Sequence, residues 1–231
     1  MINWYFDAWW KIIARPIYFY ATLKPENWRE KPLSFFLVSS WLLAAITSMV
    51  VFALQFVPIG AKLIEGITGY KFLFILPVVI VLGAMFYLIT LAIVGGLFAV
   101  GFGAAFYIVG SILNFSAHMI GVKGKLDDFL QRSFYTSAAL LIFIFPMALA
   151  LTIKYGLLDL ATFRVGYNFI YFLVSIYLYG LWAIAFRNIT STVKWKAFAL
   201  AVVPFILLLI LGLAFDKIAL TKVETWIAPL K

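Results

Sequence analysis

One histidine, His118, and two adjacent aspartates, Asp127 and Asp128, are the residues of this sequence best suited to proton transfer or metal binding. An imidazole does such work when a carboxylate orients it, a nucleophile uses it, or further ligands share a metal with it. Here the carboxylates follow nine and ten residues later, in the polar stretch MIGVKGKLDDFLQR (119–132), which is no ligand spacing. Cysteine is absent, so there is no thiolate nucleophile, sulfur-ligated metal or disulfide. A boundary histidine that caps a helix end or meets lipid headgroups is the simpler role. No catalytic, metal-ligating or cofactor-binding residue is therefore assigned. An intramembrane enzyme using His118 with Asp127 or Asp128 stays as an alternative.

Two further motifs fail on the same grounds. KIIARP (11–16) is similar to the Lys/Arg-Pro start of lipid phosphatase signatures. That chemistry needs a nucleophilic histidine, a second histidine and another phosphate-binding arginine, and one histidine cannot fill both posts. GVKG (121–124) is too short for a phosphate-cradling loop and lies between apolar runs rather than on a strand–helix turn.

The elements that would position any site are membrane helices. Of 231 residues, 66% are hydrophobic and 12% charged, with a mean hydropathy of +1.09. A soluble chain of this size could not hide so much apolar surface. The apolar runs are continuous rather than alternating, which predicts spanning helices and not a barrel. The net charge of +9 comes from basic residues flanking the runs, where they would face anionic headgroups; membrane lipids rather than nucleic acid are the implied partner.

The chain opens MINWYFDAWWKIIARP. Asn3, Asp7, Lys11 and Arg15 recur every four residues and share one helix face, with Asp7 placed to pair with Lys11. Tyr5, Phe6, Trp9, Ile12 and Ile13 cover the other face, and Trp4 and Trp10 flank the polar stripe. This is the pattern of a helix lying in the membrane surface, anchored by Trp4, Trp9, Trp10, Lys11 and Arg15. Asp7 would also interrupt the apolar stretch of any cleaved signal. The competing arrangement is an amphipathic helix packed on the bundle.

Residues 1–33 thus read as an interfacial helix and basic connector, 34–215 as the transmembrane domain and 216–231 as a short tail ending near Trp226. The first span is predicted over 34–57, ended by Pro58, with a loop over 58–71. Residues 72–117 carry no charge; as one helix they would be about 70 Å long, so a break is expected at Pro77 or in GGLFAVGFG (95–103). Either two spans (72–93 and 97–118) or one span with a re-entrant hairpin would satisfy this. Gly95, Ala99 and Gly103, four residues apart, form a small-residue stripe for close helix packing. After a charged loop (119–132), spans are predicted over 133–153, 165–186 and 197–215, with kinks at Pro146 and Pro204.

No Asp, Glu, Lys or Arg lies within these spans. Intramembrane charges mark ion paths and proton relays, so a coupled ion transporter or proton pump is disfavoured. Gln55, Asn114 and Asn168 are read as helix–helix hydrogen-bonding residues. With five crossings, the segments on the N-terminal side hold 11 Lys plus Arg against 7 opposite; with six, 10 against 8. The positive-inside rule favours five.

Three patches then resemble the Ypt-interacting-protein (Yip) family, particularly its prokaryotic branch. They are IIARPIYFYATLKPENWREKPLSFFLV (12–38), AHMIGVKGKLDDFLQRSFYTSAALLIFIFP (117–146) and YLYGLWAIAFRNITSTVKWKAFALAVVP (177–204). In the second, His118, Gly121, Gly124, Phe129, Arg132, Tyr135 and Pro146 follow the family's order and spacing, although 72–117 is longer than that family leads one to expect. The resemblance implies an all-helical domain of about five spans, six being the alternative count from 72–117, with a cytosolic N-terminus in a prokaryotic inner membrane and no enzymatic activity. The function expected is that of a scaffold, membrane-shaping or partner-binding bundle, as a homo-oligomer or with a membrane-protein partner. A lipid or small-molecule transporter, or a subunit of one, using broken helices in 72–117 is the alternative.

Overall fold

The computed structural model describes residues 2–65, 67, 70–122 and 124–222, and every regular element among them is a helix. Five segments are long and apolar enough to cross a membrane: Lys31–Lys62, Leu73–Met119, Leu126–Lys154, Leu160–Thr190 and Lys194–Ile218. The chain is an integral membrane protein, an all-α bundle of five spans. The segment ends alternate, so residues 23–30, 120–122, 124, 125 and 191–193 lie at one end, the basic end. Residues 67, 70 and 155–159 lie at the other. Arg187 and Arg164 sit near opposite ends of one helix. Their separation along it is about 35 Å at 1.5 Å per residue, close to the thickness of a hydrocarbon core.

The first span consists of α3 (Lys31–Val51), a single π turn (Phe52–Phe56) and α4 (Val57–Glu65). The stop expected at Pro58 and the loop expected over 58–71 are thus displaced: helix continues to Glu65. The wide turn just before the proline is the physical reason. It shifts the hydrogen-bond register and relieves the ring-to-carbonyl clash by which proline breaks a helix.

α5 (Lys71–Met119) is one unbroken helix of 49 residues, about 73 Å long. The fold-back expected at Pro77 or at 95–103 does not occur, and the uncharged stretch makes one crossing. Stopping a helix in hydrocarbon would orphan up to four N–H and four C=O groups, each costing several kcal/mol where water is excluded. Pro77 forfeits one hydrogen bond, and a glycine costs about 1 kcal/mol relative to alanine. Continuing costs less than stopping. The helix ends where the charges begin. Gly121, at φ +78, takes the left-handed conformation that lets its N–H reach the His118 carbonyl and the Val122 N–H reach the Ala117 carbonyl, both at 3.0 Å.

α3, α4 and α5 pair antiparallel as a long arm. Phe36 lies against Gly103, Trp41 against Gly95, Phe56 against Gly83 and Val79 against Gly60. Val50 and Leu54 share a cluster with Ile153 and Phe163, which marks the level where the rest of the bundle ends. Beyond it the arm continues, with Ile59, Leu73, Phe74, Val78 and Ile80 exposed.

The third span is α6 (Leu126–Tyr135), a 3₁₀ stretch (Thr136–Phe143) and α7 (Ile144–Lys154). The charged loop expected over 119–132 is shorter than read, because helix begins at Leu126, and residues 129–140 are all buried. The tight turns immediately precede Pro146, whose ring is incompatible with an ideal α turn below it. α8 (Leu160–Thr190) starts at Asp159, whose carboxylate accepts from the Thr162 N–H at 3.2 Å. α9 (Lys194–Phe215) contains Pro204 and runs into a π turn (Asp216–Leu220). Trp226 and the rest of the tail past 222 lie outside the described residues.

α1 (Ile2–Ala14) and α2 (Pro16–Thr22) cap the basic end. Of the two arrangements open for α1, packing on the bundle is the one observed. Tyr5, Ala8 and Ile12 are buried, in one core cluster with Phe35, Tyr135 and Trp182. Phe6 and Trp10 remain exposed. A four-residue apolar period defines a face but does not distinguish lipid from protein, since both are apolar.

Candidate functional site

The basic end holds a layer of buried polar groups that pins the N-terminal cap to the spans. The Tyr5 hydroxyl and the Ser39 hydroxyl are hydrogen-bonded at 2.8 Å, and the Trp9 indole N–H donates to the Ala138 carbonyl at 3.0 Å. The Tyr177 hydroxyl donates to the carbonyls of Ile12 and Ile13 at 3.1 and 3.0 Å. The Gln131 amide donates to the Lys24 carbonyl at 2.8 Å, and the Ser133 hydroxyl to the Phe106 carbonyl at 2.6 Å. Burial pushes the phenols of Tyr5 and Tyr20 above their ordinary range, because the charged form loses its hydration. The Ala138 carbonyl that Trp9 reaches belongs to the 3₁₀ stretch.

Arg132 enters this layer from α6. It is 8% exposed, and its guanidinium reaches only the Ala185 carbonyl, at 3.5 Å. Its Nε has no hydrogen-bond partner, and it belongs to no ion pair among the described residues. Oε1 of Glu26 is also buried without a hydrogen-bond partner, while its Oε2 lies 3.6 Å from Lys31 Nζ. Buried charges are normally paired, so Arg132 is the chemically most unusual residue of the bundle. By sequence Arg132 closes the charged loop 119–132, outside the predicted spans; α6 carries it inside. The signal that could have found it is the amphipathic run LDDFLQRSFY, whose charged and apolar residues follow a helical period.

Below the layer, the Trp182 N–H donates to the Thr136 hydroxyl at 3.2 Å. Trp182 also forms part of the wall of an apolar cavity of about 320 Å³ between α3, α5, α7, α8 and α9. No charged group lines it. The Tyr171 hydroxyl in its wall is engaged by the Leu208 carbonyl at 2.5 Å, where the Tyr171 ring also occupies the space a Cβ at Gly212 would need. Pro146 and Pro204, both buried, contribute rings too small to close the gap. At its far end Arg164 and Asp216 form a two-pronged ion pair at 3.1 and 3.0 Å, next to the lining residue Phe215.

The remaining sequence-derived residues divide by environment. Trp4 is half-buried and edge-on to Phe35. Lys11 pairs with Asp7 at 2.6 Å, and Arg15 is exposed. His118 is exposed, and its Nδ1 lies 2.8 Å from the Asn114 carbonyl of its own helix; it is in none of the ion pairs among the described residues. Asp127 is exposed and Asp128 half-buried. Among the described residues, no group of three or more His, Asp or Glu could hold a metal. Gly124 lies against the Phe129 ring, and Tyr135 is buried between Phe19 and Phe35. Gly95 and Gly103 accept rings of α3, with Ala99 half-buried between them. Gly110, which the stripe omits, meets backbone as well as side chain: a Cβ there would stand 2.8 Å from Leu130 Cδ2 and 3.2 Å from the Leu130 Cα.

Comparison with family models, curated proteins and solved structures finds no match to this chain. Its function must be argued from its own geometry.

Proposed function

We propose that this chain is a non-enzymatic scaffold of the Yip kind that shapes the bilayer and packs against a partner helix or a second copy of itself. It would sit in a prokaryotic cytoplasmic membrane with the basic end toward the cytosol. The excess of Lys and Arg on that side supports the orientation, and the three sequence patches support the kinship. The observation that carries the reading is length mismatch. α5 keeps 47 residues, from Leu73 to Met119, free of charge, roughly 70 Å of apolar helix against a hydrocarbon core of about 30 Å. Hydrocarbon must rise around the arm, or the arm must tilt or gain protein cover. The first outcome deforms the membrane and the last recruits a partner, while tilt alone would have to lay the arm more than half-way over.

Reconstitution into vesicles of short-chain and long-chain phosphatidylcholine tests it. Electron cryomicroscopy should show stronger curvature and local thickening in the short-chain vesicles. Equal shapes in both, with the protein monomeric in both, would remove the scaffold reading. A second reading, a lipid transporter or a subunit of one, is favoured by the proline-walled apolar cavity. Its test is acceleration of labelled-phospholipid movement between leaflets of the same vesicles.

A further inference from the structure

We propose that the cavity walled by Trp182, Tyr171, Pro146 and Pro204 binds one acyl chain of a bilayer phospholipid. The site is lined by all five spans, the third contributing both the 3₁₀ stretch and α7, and its volume of about 320 Å³ lies within the range of small-molecule sites. Water is a poor occupant. A buried water needs two to four polar partners; here the Trp182 N–H and the Tyr171 hydroxyl are already satisfied by Thr136 and by the Leu208 carbonyl, which leaves the Tyr167 hydroxyl, a single group, too few to hold one. A free fatty acid is also a poor occupant, because no cationic side chain lines the cavity to hold its carboxylate. What remains is an uncharged chain whose headgroup stays outside.

The mouth fits that occupant. Leu207 and Leu211 line the cavity and are also exposed on the outer face of α9. That face lies in the middle of a helix whose two ends carry Lys194 and Asp216, so the medium at the mouth is hydrocarbon. A chain can therefore enter sideways from the bilayer without desolvating its headgroup. The inference goes beyond bilayer shaping and deepens the transporter reading, on which it rests only in placing lipid inside the protein.

The experiment uses the full chain, reconstituted in vesicles of a single diacyl phosphatidylcholine, extracted in mild non-ionic detergent and weighed by native mass spectrometry. One phospholipid per protein should survive detergent washing. Ala105→Phe places a ring in the cavity and should lower that retention tenfold or more. Val100→Phe, on an exposed face of the same helix, should leave it unchanged. Met147→Phe fills the same space from α7 and serves where Ala105→Phe lowers the helix content. Wild-type protein that emerges bare, retains only free fatty acid, or keeps its lipid in both filled variants would overturn the site. Retention without any movement of labelled lipid between leaflets would leave the site standing and remove the transporter reading.

Discussion

Trp182 and Thr136 meet at the boundary between the buried polar layer and the apolar cavity, the indole N–H donating to the hydroxyl at 3.2 Å. The same hydroxyl donates to the Ser133 carbonyl at 2.6 Å. One small side chain thus closes the polar layer and orients the ring that walls the cavity. Thr136→Val keeps the shape and strands the indole N–H. Thermal unfolding in detergent should show a loss of about 1–3 kcal/mol, the cost of a buried donor without a partner. Adding Trp182→Phe should recover part of it. A double variant that loses the sum of the two single losses would show the pair to be uncoupled.

Trp9 and Trp10 are neighbours with opposite surroundings. Trp9 is bonded to the Ala138 carbonyl, while Trp10 is exposed on the cap. Trp9→Phe should therefore speed hydrogen exchange across α1 in detergent, and Trp10→Phe should not. If the two variants behave alike, α1 is held by its surroundings rather than by the bundle.

The cap should come off in alkali. The Tyr5 phenol has an ordinary value of 10.0 and is raised by burial, which outweighs its bond to Ser39. The native state therefore keeps this proton to higher pH than the unfolded chain does. The resulting stability is full below about 10 and is lost as pH rises through the folded value. Tyr20 is shifted in the same direction and adds to the slope. Tyrosinate absorbance and proteolysis of residues 2–22 should rise together above that pH. Tyr5→Phe should flatten the dependence.

Arg132 should be dispensable for stability if its length is kept. A buried charge with one long contact gains little Coulomb energy for its lost hydration, and apolar replacement of such groups is often neutral or stabilising. Arg132→Met should unfold at or above the wild-type temperature, and Arg132→Ala below it through lost packing. An equal fall in both would assign net stabilisation to the guanidinium.

Among the glycines of α5, Gly110 should be the least replaceable. A Cβ at Gly95 meets the outer edge of the Trp41 ring, which can swing toward lipid; a Cβ at Gly110 meets the Leu130 backbone. Gly110→Ala should cost about 1–3 kcal/mol, the range for overpacking, and Gly95→Ala less. Paired melting curves of the two variants decide it.

What the sequence determined by itself is the solvent and the rims. Uncharged runs bounded by Lys and Arg carry their own statement of where hydrocarbon ends, because an ionised group costs too much inside it. That reasoning reached the all-helical class, the five crossings and the grouping of residues 1–33, 119–132 and 187–196 at one end. Tertiary structure alone decided the rest. Whether 72–117 breaks depends on the cost of orphaned amides in lipid, which Pro77 and the glycine run do not advertise. Whether Tyr5 and Ile12 face lipid or protein depends on what lies beside α1, and hydropathy is blind to that difference. Arg132 and the cavity are products of assembly. One is a charge carried inward by a helix that starts earlier than its polar residues suggest. The other is a gap left where two prolines and a tight turn keep five helical segments from closing.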